Sequence, residues 1–107
     1  MKIYNLINGR GNAVKNQFVI ENGKEVSFQS YESIVCRINH VGGMGFSKIV
    51  TFGKDWNFSS TTSKHLYTFL NQQGLGILAS KKAIEEAIGR GYARLDQSVA
   101  VWLDETL

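Results

Sequence analysis

The side chains best suited to bind a metal ion, or to act as a nucleophile and its base, are Cys36, His40 and His65. A zinc site needs three or four ligands, so these residues would have to recruit an acid such as Asp55. Catalysis by Cys36 would need a thiolate, but a thiol that faces an apolar core keeps a high pKa and stays unreactive. We therefore predict no catalytic residue, no metal ion and no cofactor, with a zinc site on Cys36, His40 and His65 as the alternative.

The 11 glycines raise the question of a phosphate-binding loop. Nucleotide fingerprints place Gly-x-Gly-x-x-Gly, or Gly-x-x-x-x-Gly-Lys-Ser/Thr, between a strand and a helix, and the chain has neither spacing. The run Gly42-Gly43-Met44-Gly45 matches the Gly-x-x-Gly loop of KH domains, which joins two helices. Here the run stands between two predicted strands, so we interpret it as a hairpin turn.

The charge of the chain leaves nucleic-acid binding open. Of the 107 residues, 12 are Lys or Arg and 9 are acidic, a formal charge of +3, and the excess lies in the first 53 residues. A basic sheet face beside aromatic rings would suit a nucleic acid. Its candidate residues are Lys2, Arg10, Lys15, Arg37 and Lys48. They are spread over separate segments, so we favour a solvated strand face and keep nucleic-acid binding as the alternative.

The elements that must position these residues change character half-way along the chain. Runs of β-branched and aromatic residues predict strands over residues 2–7, 17–21, 25–29, 33–39 and 47–52, and a last one over residues 99–103. Apolar residues at helical spacing predict a helix that begins near residues 59–62 and ends at Gly74. A second helix is predicted to begin at Ser80 and to end at residues 89–91.

The order of these elements predicts one α+β domain over residues 1–107. Its architecture would be an antiparallel sheet of five to six strands with two helices packed on one face. The composition fits, since 43% hydrophobic and 20% charged residues are typical of a globular protein.

The Asn-Gly pair at residues 22–23 predicts a hairpin turn. A two-residue loop on that pair would place apolar residues opposite polar ones. A loop of odd length would instead place Ile20 opposite Val26 and Phe18 opposite Phe28, which are favourable cross-strand pairs. We therefore predict the register with the odd loop.

No segment is typical of export or of membrane insertion. The apolar start of the chain breaks at Asn8-Gly9, before it reaches the length of a signal peptide. The apolar runs are far shorter than the roughly 20 residues that cross a bilayer. The single cysteine fits a reducing compartment. We therefore expect a cytoplasmic protein without a membrane partner.

Two segments carry a resemblance to a known family. Residues 30–35 read Ser-Tyr-Glu-Ser-Ile-Val, and residues 60–66, at a predicted helix start, read Ser-Thr-Thr-Ser-Lys-His-Leu. The pattern resembles small proteins from phages and other mobile elements of Gram-positive bacteria, which show a Ser-Tyr-x-Thr strand and a Ser-x-Thr-Thr-x-Lys/Arg-His helix start. The resemblance covers roughly residues 26–75, and Ser33 stands where threonine is common.

The resemblance implies a phage setting and no particular reaction. Small phage proteins often bind and block a host macromolecule, and inhibitors of defence nucleases, including anti-CRISPR proteins, are the first group it suggests. We therefore expect a non-enzymatic protein that binds a host or defence protein, such as a Cas nuclease, inside the host bacterial cell. A positively charged target would favour contact through acidic or apolar residues. The candidates are Asp55, Trp56, Glu85, Glu86, Asp104 and Glu105.

Overall fold

Seven strands form one sheet in the computed structural model of the chain, which describes residues 1–41, 46–94 and 98–107. The strands are β1 (Lys2–Ile7), β2 (Ala13–Asn22), β3 (Glu25–Ser30), β4 (Ser33–His40), β5 (Phe46–Gly53), β6 (Tyr92–Arg94) and β7 (Ser98–Asp104). The helices are α1 (Ser60–Gln72) and α2 (Lys81–Arg90), joined through a 3₁₀ turn at Gly76–Leu78. The hairpin turn predicted at Gly42-Gly43-Met44-Gly45 lies outside the described residues.

The strand order is β1-β2-β3-β4-β5-β7-β6. Neighbouring strands are antiparallel except β5 and β7, which run parallel because both helices lie in the connection that leads from β5 towards β7. The predicted α+β class is confirmed. The sheet has one strand more than predicted, since β6 is only three residues long and too short to show an alternating pattern.

Both helices pack on one face of the sheet. Alternation and register place the buried residues of the central strands on that face: Phe28 lies opposite Cys36, and Cys36 lies opposite Phe52. These side chains form one core cluster with residues of both helices, including Leu66 and Ile84. The other face of the sheet, which we call the open face, carries Arg37, Thr51 and Trp102 in one cross-strand row.

The ends of the helices follow from local chemistry. Ser59 and Ser80 cap α1 and α2, because their hydroxyls accept hydrogen bonds from backbone N–H groups of the first turns. After α1, the N–H of Leu75 donates to the carbonyl of Leu70 at 2.8 Å, and Leu75 is fully buried. The predicted ends, at Gly74 and within residues 89–91, are confirmed, and Gly91 is the residue that caps α2.

The predicted register of the first hairpin is wrong. Asn22 pairs with Glu25, so the loop has two residues, and Val19 rather than Phe18 lies opposite Phe28. Gly23 supplies the positive φ of 64° that the first position of such a turn requires. This register is favoured because it puts the β-branched Val19 and the largest side chain of β3 together in the core, where Val19 and its same-face neighbour Gln17 are buried.

Candidate functional site

One candidate site is a cleft of about 300 Å³ between the β3–β4 turn and the loop that leads from β5 into α1. We call it the aromatic cleft, after Tyr31 and Phe58 at its mouth. Its lining residues are Ser30, Tyr31, Ser33, Val35, Asp55, Phe58 and Thr62. The two segments behind the sequence resemblance, residues 30–35 and 60–66, therefore meet in space at this cleft.

Buried hydroxyl groups join the two walls of the aromatic cleft. The Oγ of Ser30 lies 3.3 Å from the Oγ1 of Thr62, and Ser59 Oγ lies 3.2 Å from the same Thr62 oxygen. The N–H of Thr62 donates to Ser59 Oγ at 3.1 Å as the helix cap. The hydroxyls thus contact one another instead of a histidine or a carboxylate. They fix the β3–β4 turn to the start of α1, and they do not form a nucleophile with its base.

Tyr31 is held in an unfavourable backbone conformation at the mouth of the aromatic cleft. It is the first residue of the two-residue turn between Ser30 and Ser33, and its φ is 55°. Its N–H donates to the carbonyl of Asn16 at 2.7 Å, and Asn16 also has a positive φ. A bulky residue in this region costs on the order of 1–2 kcal/mol. The ring gains little burial in return, because Tyr31 is 58% exposed.

We expect Tyr31→Gly to leave the free energy of unfolding unchanged or to raise it by up to about 1 kcal/mol. Glycine removes the steric cost at positive φ and adds a smaller entropic cost in the unfolded chain. Urea denaturation followed by tryptophan fluorescence measures the difference. Tyr31→Ala is the matched control, since it removes the ring and keeps the strained Cβ. A glycine variant that is less stable than the alanine variant would contradict this assignment of strain.

The second wall of the aromatic cleft is a loop anchored by Trp56. Two successive turns form it, with Trp56 N–H donating to Gly53 O and Phe58 N–H donating to Asp55 O, each at 3.1 Å. The Trp56 ring packs on Phe52, with ring centroids 6.1 Å apart. Trp56 is only 8% exposed, which corrects its assignment as a partner-contact residue: it belongs to the core and positions its neighbours.

The buried position of Trp56 leaves Asp55 half-buried and Phe58 exposed in the same loop. Phe58 is 81% exposed, the largest exposed fraction of any aromatic side chain in the described part of the chain. Glycine at position 53 is required, because a Cβ there would lie 2.6 Å from the carbonyl oxygen of Ile34 in the neighbouring strand. The close approach of β5 to β4 brings Asp55 and Phe58 beside the turn that carries Tyr31.

Residues 1–86 match the model of one protein family, described as a family of unknown function (DUF8033). The chain belongs to this family. The matched span contains every residue that lines the aromatic cleft. No curated protein matches the chain, and no solved structure does. The family description assigns no activity, so the phage setting and the inhibitor role stay predictions.

The other acidic candidates of this DUF8033 chain do not line the aromatic cleft. Glu85 and Glu86 are exposed on α2, and Glu86 lies 4.0 Å from Arg90. Asp104 ends β7, and its carboxylate accepts hydrogen bonds from the N–H and the hydroxyl of Thr106, which lower its pKa. Glu105 follows it and is exposed. Of the predicted acids, only Asp55 lies in the aromatic cleft.

The structure separates the three residues considered for metal binding or catalysis. Cys36 is fully buried in the core, as predicted, and burial raises the pKa of its thiol. His40 is exposed at the end of β4, and His65 is half-buried on α1, where burial and then Lys64 lower its pKa. Residues 1–41, 46–94 and 98–107 contain no group of three or more His, Cys, Asp or Glu side chains that could hold a metal ion.

The basic candidates do not converge on one face. Arg37 lies on the open face, where its Nε is 3.3 Å from the carboxylate of Glu25. By the alternation of side chains along β5, Lys48 belongs to the face that the helices cover. Lys2 opens β1, and its ammonium lies 5.4 Å from the ring centroid of Tyr4. Arg10 lies beyond the other end of β1, and Lys15 lies in β2. The geometry therefore offers no continuous basic track made of these five residues.

A second cleft, of about 240 Å³, lies between the 3₁₀ turn, α2 and β6. Ile77 and Tyr92 line it, together with the paired Glu86 and Arg90. Its charges are already matched, and part of its lining lies beyond the span of the family match.

Within the described ranges, no helix has the length and hydrophobicity needed to cross a membrane.

Sequence reasoning did not single out Tyr31 and Phe58 as site residues. Two signals could have found them. Tyr31 falls in a two-residue turn, where glycine or asparagine is the common choice. Phe58 stands alone between the polar residues Asn57 and Ser59, outside any periodic apolar pattern.

Proposed function

We propose that this chain is a non-enzymatic phage protein that binds a host or defence macromolecule through the aromatic cleft and inhibits it. An anti-CRISPR inhibitor of a Cas nuclease, acting in the cytoplasm of the host cell, is the specific form of the proposal. The observation that carries it is the pair of exposed aromatic rings, Phe58 at 81% and Tyr31 at 58%, at the mouth of one cleft.

Exposed aromatic side chains are a cost for an isolated domain and a benefit for an interface. Burial of apolar surface by a partner stabilises the complex by roughly 25 cal/mol for each Å² removed from water. Tyrosine and tryptophan dominate binding hot spots, and phenylalanine is also enriched at interface cores. The strained backbone of Tyr31 supports the same view, since strain that is kept at an exposed ring is typical of functional positions.

Site-specific photo-crosslinking tests this function. The residue p-benzoylphenylalanine is incorporated at position 58, and illumination of bacterial cells that express the protein is followed by mass spectrometry. We expect one host or defence protein to be crosslinked from position 58. The control places the same residue at position 77, where Ile77 is 48% exposed at the second cleft.

Three outcomes would contradict the proposal. Crosslinks that are equal from positions 58 and 77 would mean nonspecific contact. No protein crosslink from position 58 would remove the cleft as an interface. Crosslinked nucleic acid, with binding that weakens steeply in a gel shift as salt rises, would support the nucleic-acid alternative instead.

A further inference from the structure

We infer that the group that occupies the aromatic cleft is a cationic side chain, arginine or lysine, of the partner protein. The inference rests on the proposed function and names the chemistry that the site recognises. Its basis is the position of one carboxylate, Asp55, in a cleft whose mouth is formed by two aromatic rings, Tyr31 and Phe58.

Asp55 gives the aromatic cleft its charge. Among the described residues that line the cleft, it is the one with an acidic or basic side chain. The ion pairs found among the side chains of residues 1–41, 46–93 and 99–107 join Arg37 to Glu25 and Arg90 to Glu86, so Asp55 has no cationic partner among those residues. Lys54 and Lys64, which flank the cleft in the sequence, are exposed and do not pair with it. The carboxylate is therefore available to a ligand.

The aromatic rings reinforce the preference for a cation. The face of an aromatic ring carries a negative partial charge and attracts ammonium and guanidinium groups within about 6 Å of its centroid. The ring pairs of the described residues are Phe28 with Phe69 and Phe52 with Trp56, so the faces of Tyr31 and Phe58 are not covered by another ring there. Arginine can stack on such a face and donate hydrogen bonds to a carboxylate at the same time.

An anionic ligand fits the same cleft poorly. The start of α1 would favour an anion through its helix dipole. The N–H of Thr62 is already used, however, because it donates to Ser59 Oγ. The anion would also face the negative charge of Asp55. Phosphate groups are therefore disfavoured, and a basic side chain from a surface that itself binds nucleic acid is a suitable occupant.

Titration of the intact protein with N-acetyl-arginine amide, followed by NMR, tests the inference. We expect saturable shifts of the Tyr31, Asp55 and Phe58 signals, and binding at least fivefold weaker for the citrulline analogue, which has the same shape without the charge. N-acetyl-lysine amide should behave like the arginine compound. Equal binding of the arginine and citrulline probes, or shifts confined to other residues, would overturn the inference.

Asp55→Asn is the variant that separates charge from shape. We expect it to weaken binding of the arginine probe at least fivefold, whereas Glu85→Gln, which removes an exposed acid on α2, should leave binding unchanged. Equal binding by the wild-type protein and Asp55→Asn would overturn the inference. The inference would also be overturned if a partner crosslinked from position 58 binds Asp55→Asn as tightly as the wild-type protein. The proposed function would then still stand. If the arginine probe binds but no partner is crosslinked from position 58, the preference of the cleft for a cation would stand and the proposed function would be contradicted.

Discussion

Replacing Phe69 by alanine is expected to lower the free energy of unfolding by about 3–5 kcal/mol. Phe69 is fully buried on α1, and its ring stacks on Phe28 of β3 with centroids 5.5 Å apart. The substitution removes this contact and opens a cavity between the helix and the sheet. Domains of ordinary stability unfold with only 5–15 kcal/mol, so the variant should be close to the limit of folding.

Urea denaturation, followed by tryptophan fluorescence and circular dichroism, measures this loss. Phe58→Ala is the matched control, since it makes the same chemical change at an exposed position. The control should alter the free energy of unfolding by no more than about 0.5 kcal/mol. A loss below about 1 kcal/mol for Phe69→Ala would contradict the packing of Phe69 between α1 and the sheet.

Phe58→Ala, which should have little effect on stability, is expected to have a large effect on binding to the partner. Phe58→Ala should weaken the affinity for the crosslinked partner by about 2 kcal/mol or more, roughly 30-fold, because a hot-spot aromatic side chain contributes that much. Its effect on stability should be small because the Phe58 side chain is exposed. Isothermal titration calorimetry with the purified partner provides the measurement.

Ile77→Ala is the control for binding, since it trims an exposed apolar side chain at the second cleft. Its affinity should stay within about twofold of the wild-type value, the range of energetically neutral surface substitutions. If Phe58→Ala binds as tightly as the wild-type protein, the exposed ring is not part of the interface. If Ile77→Ala is the weaker binder, the second cleft is the interface.

Much of the fold could be predicted because local chemistry specifies it. The hydroxyl residues before α1 and α2, and the glycines after them, fix where each helix begins and ends. The expected position of Cys36 in the core is also confirmed. These features depend on residues that lie close together in the sequence.

Features that depend on distant residues could not be predicted in the same way. The register of the first hairpin follows from the burial of Val19 and Phe28 in the core that the sheet shares with the helices, which no local pairing rule includes. The parallel pairing of β7 with β5 requires the path of the whole helical connection. The short β6 is a strand only because it pairs with β7.

The candidate site was predicted in part. Asp55 was named for its charge, and it does lie in the aromatic cleft. Trp56 was named as a contact residue, but it lies in the core, because a tryptophan between two tight turns can fold back onto Phe52. Tyr31 was noted only as part of the family resemblance, and Phe58 was not named, since the sequence does not show which aromatic residues remain exposed. Ser30 and Thr62 meet only because the sheet and α1 bring them together.

The measurement that tests the role of the aromatic cleft most directly is the NMR spectrum of the isotope-labelled protein during titration with the crosslinked partner. We expect the largest changes at residues 30–33 and 55–62, which form the cleft, and little change at Trp102 on the open face or Ile77 at the second cleft. Changes concentrated at Trp102 or Ile77, with the signals of Tyr31 and Phe58 unaltered, would contradict the assignment of the cleft as the binding site.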